Sequence, residues 1–312
     1  MHFLQVIFQR LLYLIPVLIG ISIITFVLMQ LTPGDPIRLL VGQRATPEVI
    51  AAVRAHYGLD LPAYQQYFVY MSNTLQGDLG NSIPYQRPVT ELILSFLPPT
   101  VFLIVYVICI TIPTTVFLAI LSAKNEGKLL DQIINQFTVL GLTIPVFWLG
   151  IMMARLFGVE LGWFPVTGYG KDFIGHLHHL FLPAISTSIW LVPVLLRNLR
   201  VAIIEQMKSD YVTASQSKGL PERYIFSHHI LKNSILPTLN LFGVMVTYLI
   251  GGSIVVETVY AVPGVGKLII NSILGRDYFV VQGITLFYAM ATISVTLIVD
   301  LLSALIDPRV EL

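Results

Sequence analysis

Charge is what this chain has least of. Of its 312 residues only 11% are charged and 55% are hydrophobic, where a soluble globular domain carries about 25% charged residues. That imbalance argues against a soluble domain and for a membrane protein. The net charge is +1 with no run of Lys or Arg, so the electrostatic footprint of a nucleic-acid binder is missing. The one cysteine, Cys109, lies in an apolar run. No intrachain disulfide can form, and cysteine usage says nothing about compartment. Catalytic signatures are missing too: there is no H-E-x-x-H, no complete G-x-S-x-G and no paired-cysteine motif. No fixed-period repeat or low-complexity segment occurs.

What the chain does have is apolar length. At 1.5 Å per residue, about 20 residues cover roughly the 30 Å of a bilayer's hydrocarbon core. Six runs of that order lie at about 11–31, 100–123, 133–157, 181–200, 236–256 and 281–305. After the first comes Thr32-Pro33-Gly34-Asp35-Pro36 rather than a small-residue cleavage site, so an uncleaved first span is expected. Pro16, Pro113, Pro145 and Pro193 fall inside runs. Neighbouring helices and waters satisfy the carbonyls they free, so each run is expected to stay helical. Arg10, Lys124, Lys128, Arg197, Arg200, Lys208, Lys218, Arg223, Lys232 and Arg309 fall at the termini and even-numbered gaps. The two short odd gaps carry only Lys171, Lys267 and Arg276. Basic residues favour the cytosolic side, so both termini are expected there.

Two polar intervals stand out. In 32–99, Thr46-Pro47-Glu48 opens a helix with an apolar stripe at Val49, Ile50 and Val53, and Gly58 stops it. A second helix from Pro62 carries Tyr64, Tyr67, Phe68 and Tyr70. Such aromatics suit a membrane interface or a docking surface; a small packed cap over the spans fits equally. In 205–237, Tyr211, Ala214, Ser215 and Lys218 follow i, i+3, i+4, i+7 spacing. Gly219 supplies a helix C-cap, and Pro221 ends one helix and opens the next. Small side chains beside a Gly-Pro break let another protein approach closely. An ordinary loop fits the spacing as well.

The stretch Asp210–Pro237, DYVTASQSKGLPERYIFSHHILKNSILP, resembles the coupling loop of bacterial ABC-importer permeases. The likeness is to the B-subunit family of peptide/nickel-type importers, which includes dipeptide, oligopeptide, glutathione and nickel permeases. Asp210, Tyr211, Val212, Lys218, Gly219 and Leu220 fit its pattern, followed by His229, Leu231, Lys232, Asn233 and Pro237. Thr213, Ala214 and Ser215 stand where the wider form has Glu-Ala-Ala. The likeness continues in PGDP (33–36), GLDLPAYQQY (58–67), GDLGNSIPYQRPV (77–89), PVFWLG (145–150) and LGWFPVTGY (161–169). It ends with GGSIVVETVYAVPGVGKL (251–268), Arg276-Asp277-Tyr278 and VDLLSALIDPRV (299–310). Val262 and Phe279 replace a Trp and a Pro common in relatives.

The resemblance implies an all-α membrane protein with six transmembrane helices, similar to type I ABC importer permeases. It implies a helical external insert after the first span and a cytosolic coupling helix between spans 4 and 5. It further implies a second homologous permease, two ATP-binding subunits that hydrolyse the ATP, and an external solute-binding protein. The location would be the bacterial cytoplasmic (inner) membrane, and no cofactor on this chain is implied. Docking to the ATPases would fall to Asp210, Tyr211, Thr213, Ala214, Ser215, Lys218, Gly219, Leu220 and Glu222. Of these, Ala214, Ser215 and Gly219 permit close approach, while Asp210, Lys218 and Glu222 give polar registry. Small peptides are the expected cargo, with glutathione or a nickel complex as alternatives. Gly251, Gly252, Glu257 and Asn198 are expected along the translocation pathway.

Other features invite narrower readings. AVPGVGKL around Lys267 imitates a phosphate-binding loop but lacks its first Gly, at Ala261, and its Ser/Thr, at Leu268. His176, His178 and His179 do not share one helix face, so interfacial roles are expected over metal ligation. Arg155, Glu257 and Asp300 lie near span ends and are expected to snorkel or pair. A self-sufficient secondary transporter is the rival class. Gly251-Gly252 suits the unwound helix such a protein uses, but no acidic residue sits at a span centre. An intramembrane enzyme lacks a catalytic set.

Overall fold

A computed structural model describes residues 2–31, 37, 41 and 45–306. Among these the architecture is helical, with one isolated bridge, Asn81 to Pro88. The helices are α1 (His2–Leu31), α2 (Pro47–His56), α3 (Ala63–Leu75), α4 (Val89–Lys124), α5 (Leu129–Thr143) and α6 (Val146–Met153). Then come α7 (Phe173–Met207), α8 (Asp210–Ser217), α9 (Glu222–Ile225), α10 (Leu231–Val259), α11 (Val265–Leu274) and α12 (Tyr278–Ile306). Wider π-type turns extend α6 over Ala154–Glu160 and join α9 to α10 over Phe226–Ile230.

Four helical runs are long and apolar enough to cross a membrane: α4, α7, the continuous run Glu222–Val259, and α12. The pair α5–α6 supplies a fifth if it is one span, and α1, 30 residues long, carries the first apolar run. One expectation fails in detail. The third run is not one straight helix, because α5 and the α6 segment meet at 99°. The cause is local. Ile144 is extended (φ −83°, ψ 122°) before Pro145, as the clash with a following proline ring demands. The second run also begins earlier than expected. Pro98 and Pro99 lie within α4 rather than before it, and the preceding turns are held by buried Val89, Leu92 and Ile93.

The described chain divides into two compact units. The first comprises residues 1–100 and 263–293. Here α2 starts as its sequence predicts, with Thr46 Oγ1 accepting from Val49 N and Pro47 following. Gly58, in the left-handed region at φ +65°, turns the chain after α2. The aromatics of α3 reach α1: Tyr67 hydrogen-bonds Ser22 at 2.9 Å and meets Phe26 edge-on at 5.4 Å. Tyr70 is buried, which pushes its phenol up to about 12. Asp277, wholly buried where α12 begins, accepts a hydrogen bond of 2.5 Å from Ser82 Oγ. Burial pushes its carboxyl above the usual range, opposed by Ser82 and by the N–H groups of Val280 and Ile83.

The second unit comprises residues 101–262 and those from 294 onward. Its axis is α7, whose apolar window is 67% buried, against 22% in α4 and 17% in α12. Hydroxyls tie neighbours to that axis. Thr111 of α4 donates to Ser188 at 3.1 Å, and Tyr260 bonds both Ser186 (2.9 Å) and the Gly150 carbonyl (3.0 Å). Such bonds between helices replace the hydrophobic drive that lipid removes. Small residues allow close approach. A Cβ on Gly141 of α5 would lie 2.8 Å from the Ile189 carbonyl of α7, and one on Gly243 of α10 would lie 2.6 Å from Val299 of α12.

Candidate functional site

The site lies where α7 gives way to α10, entirely within the second unit. Helix α7 ends at Met207, and Ser209, in extended geometry, starts α8. Eight residues later α8 closes in a Schellman turn: Leu220 N donates to Ser215 O and Gly219 N to Gln216 O. Gly219 takes φ +76°, the left-handed conformation that a Cβ disfavours, and nothing approaches within 4 Å of where a Cβ would stand. Pro221 then opens α9, which passes through its π-type turn into α10 without a break. The two short helices predicted from Gly219 and Pro221 are therefore present, and the second is the leading turn of the span that follows.

The helix α8 has an inner and an outer side. Val212 is only 4% exposed. It packs with Ile225 and Ile230 into a cluster that includes Ala123 of α4, Ile134 of α5 and Leu199 and Ile203 of α7. Tyr211 and Ser215 flank that seam. Tyr211 Oη donates to Gln206 (2.6 Å) and accepts from Asn233 (3.3 Å), and Ser215 Oγ donates to the Tyr211 carbonyl (2.7 Å). Asp210, Thr213, Ala214, Lys218, Gly219, Leu220 and Glu222 are exposed. Of the nine docking candidates, the structure thus presents seven outward together and uses two as struts. Around α9, Tyr224 stacks on His228 at 4.3 Å, and Lys124 sits 4.3 Å above the Phe226 ring.

The pathway candidates, one on α7 and three on α10, sit in different surroundings. Gly251 lies on an exposed face of α10 shared with Val244, Tyr248 and Val255. Gly252 is tucked against Tyr248, itself stacked on Trp190 at 5.1 Å. Asn198 accepts a hydrogen bond from Thr238 at 3.0 Å, which joins α7 to α10. Glu257 is wholly buried, so it does not snorkel to an interface as expected. Arg155 does pair, with Glu160 at 2.9 Å, and Asp300 borders a cavity of about 500 Å³ between α10 and α12 with Asn240 and Thr247. The three histidines each bind a different carbonyl: His176 that of Tyr169 (2.7 Å), His178 that of Trp163 (3.0 Å) and His179 that of Gly175 (2.9 Å). The first two secure the loop before α7, while the third stays within its own helix. The motifs PGDP (33–36) and DPRV (307–310) lie outside the described residues.

Sequence reasoning missed one cluster beside the site. Arg200, counted above only for orientation, grips Asp131 through two nitrogens, Nε at 2.8 Å and Nη2 at 2.6 Å. Lys208 pairs with Glu126 at 3.0 Å next to it. An acid just before one apolar run and a base at the end of another was the available signal. It was legible only once both ends were placed on one side.

A multi-pass helical membrane protein that holds a short, exposed helix pair between two spans is the class defined by this fold and site. Residues 115–312 match the family described as binding-protein-dependent transport system inner membrane component, and residues 3–119 match its N-terminal component. The chain belongs to that family. It is 36% identical over 308 residues to a putative peptide transport system permease protein of Brucella suis biovar 1 (strain 1330), covering 98% of both chains. It is 35% identical over 311 residues to the oligopeptide transport system permease protein AppB of Bacillus subtilis (strain 168), covering 98% of each. The glutathione transport system permease protein GsiC of Escherichia coli (strain K12) is 34% identical over 308 residues, with 99% of both covered. A crystal structure of an amino acid ABC transporter with histidines matches 71% of this chain and 95% of its own at a TM-score of 0.50 and 16% identity. At that identity the likeness concerns the fold alone. The chain is thus a permease component of an inner-membrane transport system, and its relatives are permeases rather than enzymes.

Proposed function

We propose that this chain is the permease subunit of an ATP-driven importer and forms half of a translocation pathway for small peptides. A second homologous permease supplies the other half, two ATP-binding subunits dock on α8 and α9, and an external binding protein delivers the cargo. The observation that carries this reading is the two-sided α8. One side is seated in the span core through Val212, while the other displays Thr213, Ala214, Lys218, Gly219 and Leu220. A loop that only reversed the chain needs no such seat. In this arrangement α8 faces the cytosol with both termini, and the aromatic insert before α4 faces outward.

ATP binding closes the ATPase pair and displaces α8 and α9. Because they share a core with α4, α5 and α7, the displacement moves those helices as a block between two packings. Gly251, with open space above it, stays as a pathway candidate on the exposed face of α10. Asn198, bonded to Thr238, and Glu257, buried, stay candidates beside it. Peptide is the proposed cargo because relatives such as AppB carry that name, with glutathione, named for another relative, as the alternative. The histidines, each bonded to a carbonyl, lend a nickel cargo no support.

The test is reconstitution of the chain in liposomes with the partner permease, the ATP-binding subunits and the binding protein that co-purify with it. Uptake of a labelled di- or tripeptide that needs both ATP and the binding protein is the expected result. Uptake by the chain alone without ATP would sink the reading and promote a secondary transporter. ATP-driven uptake confined to glutathione or nickel would move the cargo only.

A further inference from the structure

The importer reading needs something that carries motion from the docking helix to the spans. We infer that Asp131 and Arg200 are positioning residues that lock the α4–α5 turn, the second half of α7 and the 210–231 segment into one rigid lever. This rests on the importer reading.

Both oxygens of Asp131 are engaged, from three helices and the turn between two of them. From α7, Arg200 contributes Nε at 2.8 Å and Nη2 at 2.6 Å. From the end of α4, Ser122 Oγ donates to the same carboxylate and accepts from Arg200 Nε at 3.0 Å. The turn adds Gly127 N at 3.0 Å, and α5 itself adds Asn135 Nδ2 at 3.1 Å. The side chains are only 4% and 18% exposed. A two-pronged guanidinium–carboxylate pair fixes angle as well as distance. Sliding α7 by one residue, about 1.5 Å, would break both prongs.

Buried ion pairs add little net stability over apolar residues of similar size, because desolvation offsets the attraction. What this one adds is a single register. The neighbouring core extends that register to the docking element: Val212 and Ile225 share one cluster with Ala123, Leu196, Leu199 and Ile203. Lys124 over Phe226 and Lys208 with Glu126 close the same block from outside. A packed block with a locked register transmits a push instead of absorbing it.

The test uses the whole reconstituted complex. Replacing both charges, Asp131→Leu with Arg200→Met, leaves no buried charge unpaired. The complex should still assemble and hydrolyse ATP, while peptide moved per ATP falls by about fivefold or more, the scale of an ordinary coupling energy. Arg200→Lys, which keeps charge but loses the fork, should give an intermediate ratio. A wild-type ratio in either variant overturns the lever. Should the double variant fail to assemble, spin labels at exposed Gln132 and Ser227, in a Cys109→Ser background, decide the matter with the pair intact. Their separation should be the same in nucleotide-free and ATP-trapped complexes, and a changed separation overturns the proposal. The two readings fail differently. An unaltered complex without ATP-driven uptake defeats the importer, whereas a coupled complex indifferent to the double replacement defeats only the lever.

Discussion

At Gly219 the backbone sits at φ +76° with open space where a Cβ would be. Any replacement therefore meets backbone strain of about 1–2 kcal/mol and no clash inside the chain. Gly219→Ala should cost that much in thermal unfolding and leave transport coupled. Gly219→Trp should cost about the same in stability, yet block docking, so that hydrolysis by the ATPases no longer drives uptake. Equal uptake by both variants would count against α8 as the docking element. At Asp277 the variable is pH. Its folded carboxyl titrates above its unfolded value because it is buried. Its contribution to stability is thus complete below the ordinary carboxylate range, about 3.9, and is lost as pH rises through the raised value. Asp277→Asn should lack that loss. Melting temperatures from pH 4 to pH 8 should show the variant gaining on the wild type as pH rises. Parallel curves would contradict the burial argument.

Among the elements, the contrast between Gly141 and Gly251 is the clearest guide to what packs and what faces outward. Both glycines lie within helices, where alanine is ordinarily favoured by up to about 1 kcal/mol. At Gly251 nothing opposes that gain, whereas at Gly141 the new Cβ would stand 2.8 Å from a backbone carbonyl of α7 that cannot swing away. Gly251→Ala should therefore raise the melting temperature of the detergent-solubilised protein, and Gly141→Ala should lower it by the equivalent of about 1–3 kcal/mol. If both rise, α5 and α7 are not in the contact described. Pro145 acts at the same scale. Its effect on Ile144 turns one apolar run into two helices at 99°.

For the whole molecule that bend raises a question of sides. A bent but complete span puts Lys128 and Lys171 on opposite faces of the membrane, whereas a re-entrant pair puts them on the same face. Both residues are exposed. With Cys109 replaced by Ser, single cysteines at Lys128 and Lys171 can be labelled by a membrane-impermeant maleimide. In right-side-out vesicles Lys171→Cys should react and Lys128→Cys should not, with the reverse in inverted vesicles. Labelling of both from one side would remove a crossing and change the assignment of the termini.

The sequence by itself determined the membrane class, the apolar runs, the helix start at Thr46 and the turn at Gly219. These are encoded locally: apolar length sets transfer free energy, and a glycine or proline acts on its neighbours' backbone. The order of motifs along the chain gave the family as well. Tertiary structure decided which face of α8 is seated and which is offered. It buried Glu257, drew Asn198 into helix packing and set each histidine on its own carbonyl. It also joined Asp131 to Arg200, residues 69 positions apart, and Ser82 to Asp277, 195 apart. No spacing rule reaches that far. Such pairs depend on which helix faces meet, and that is settled by packing many side chains at once.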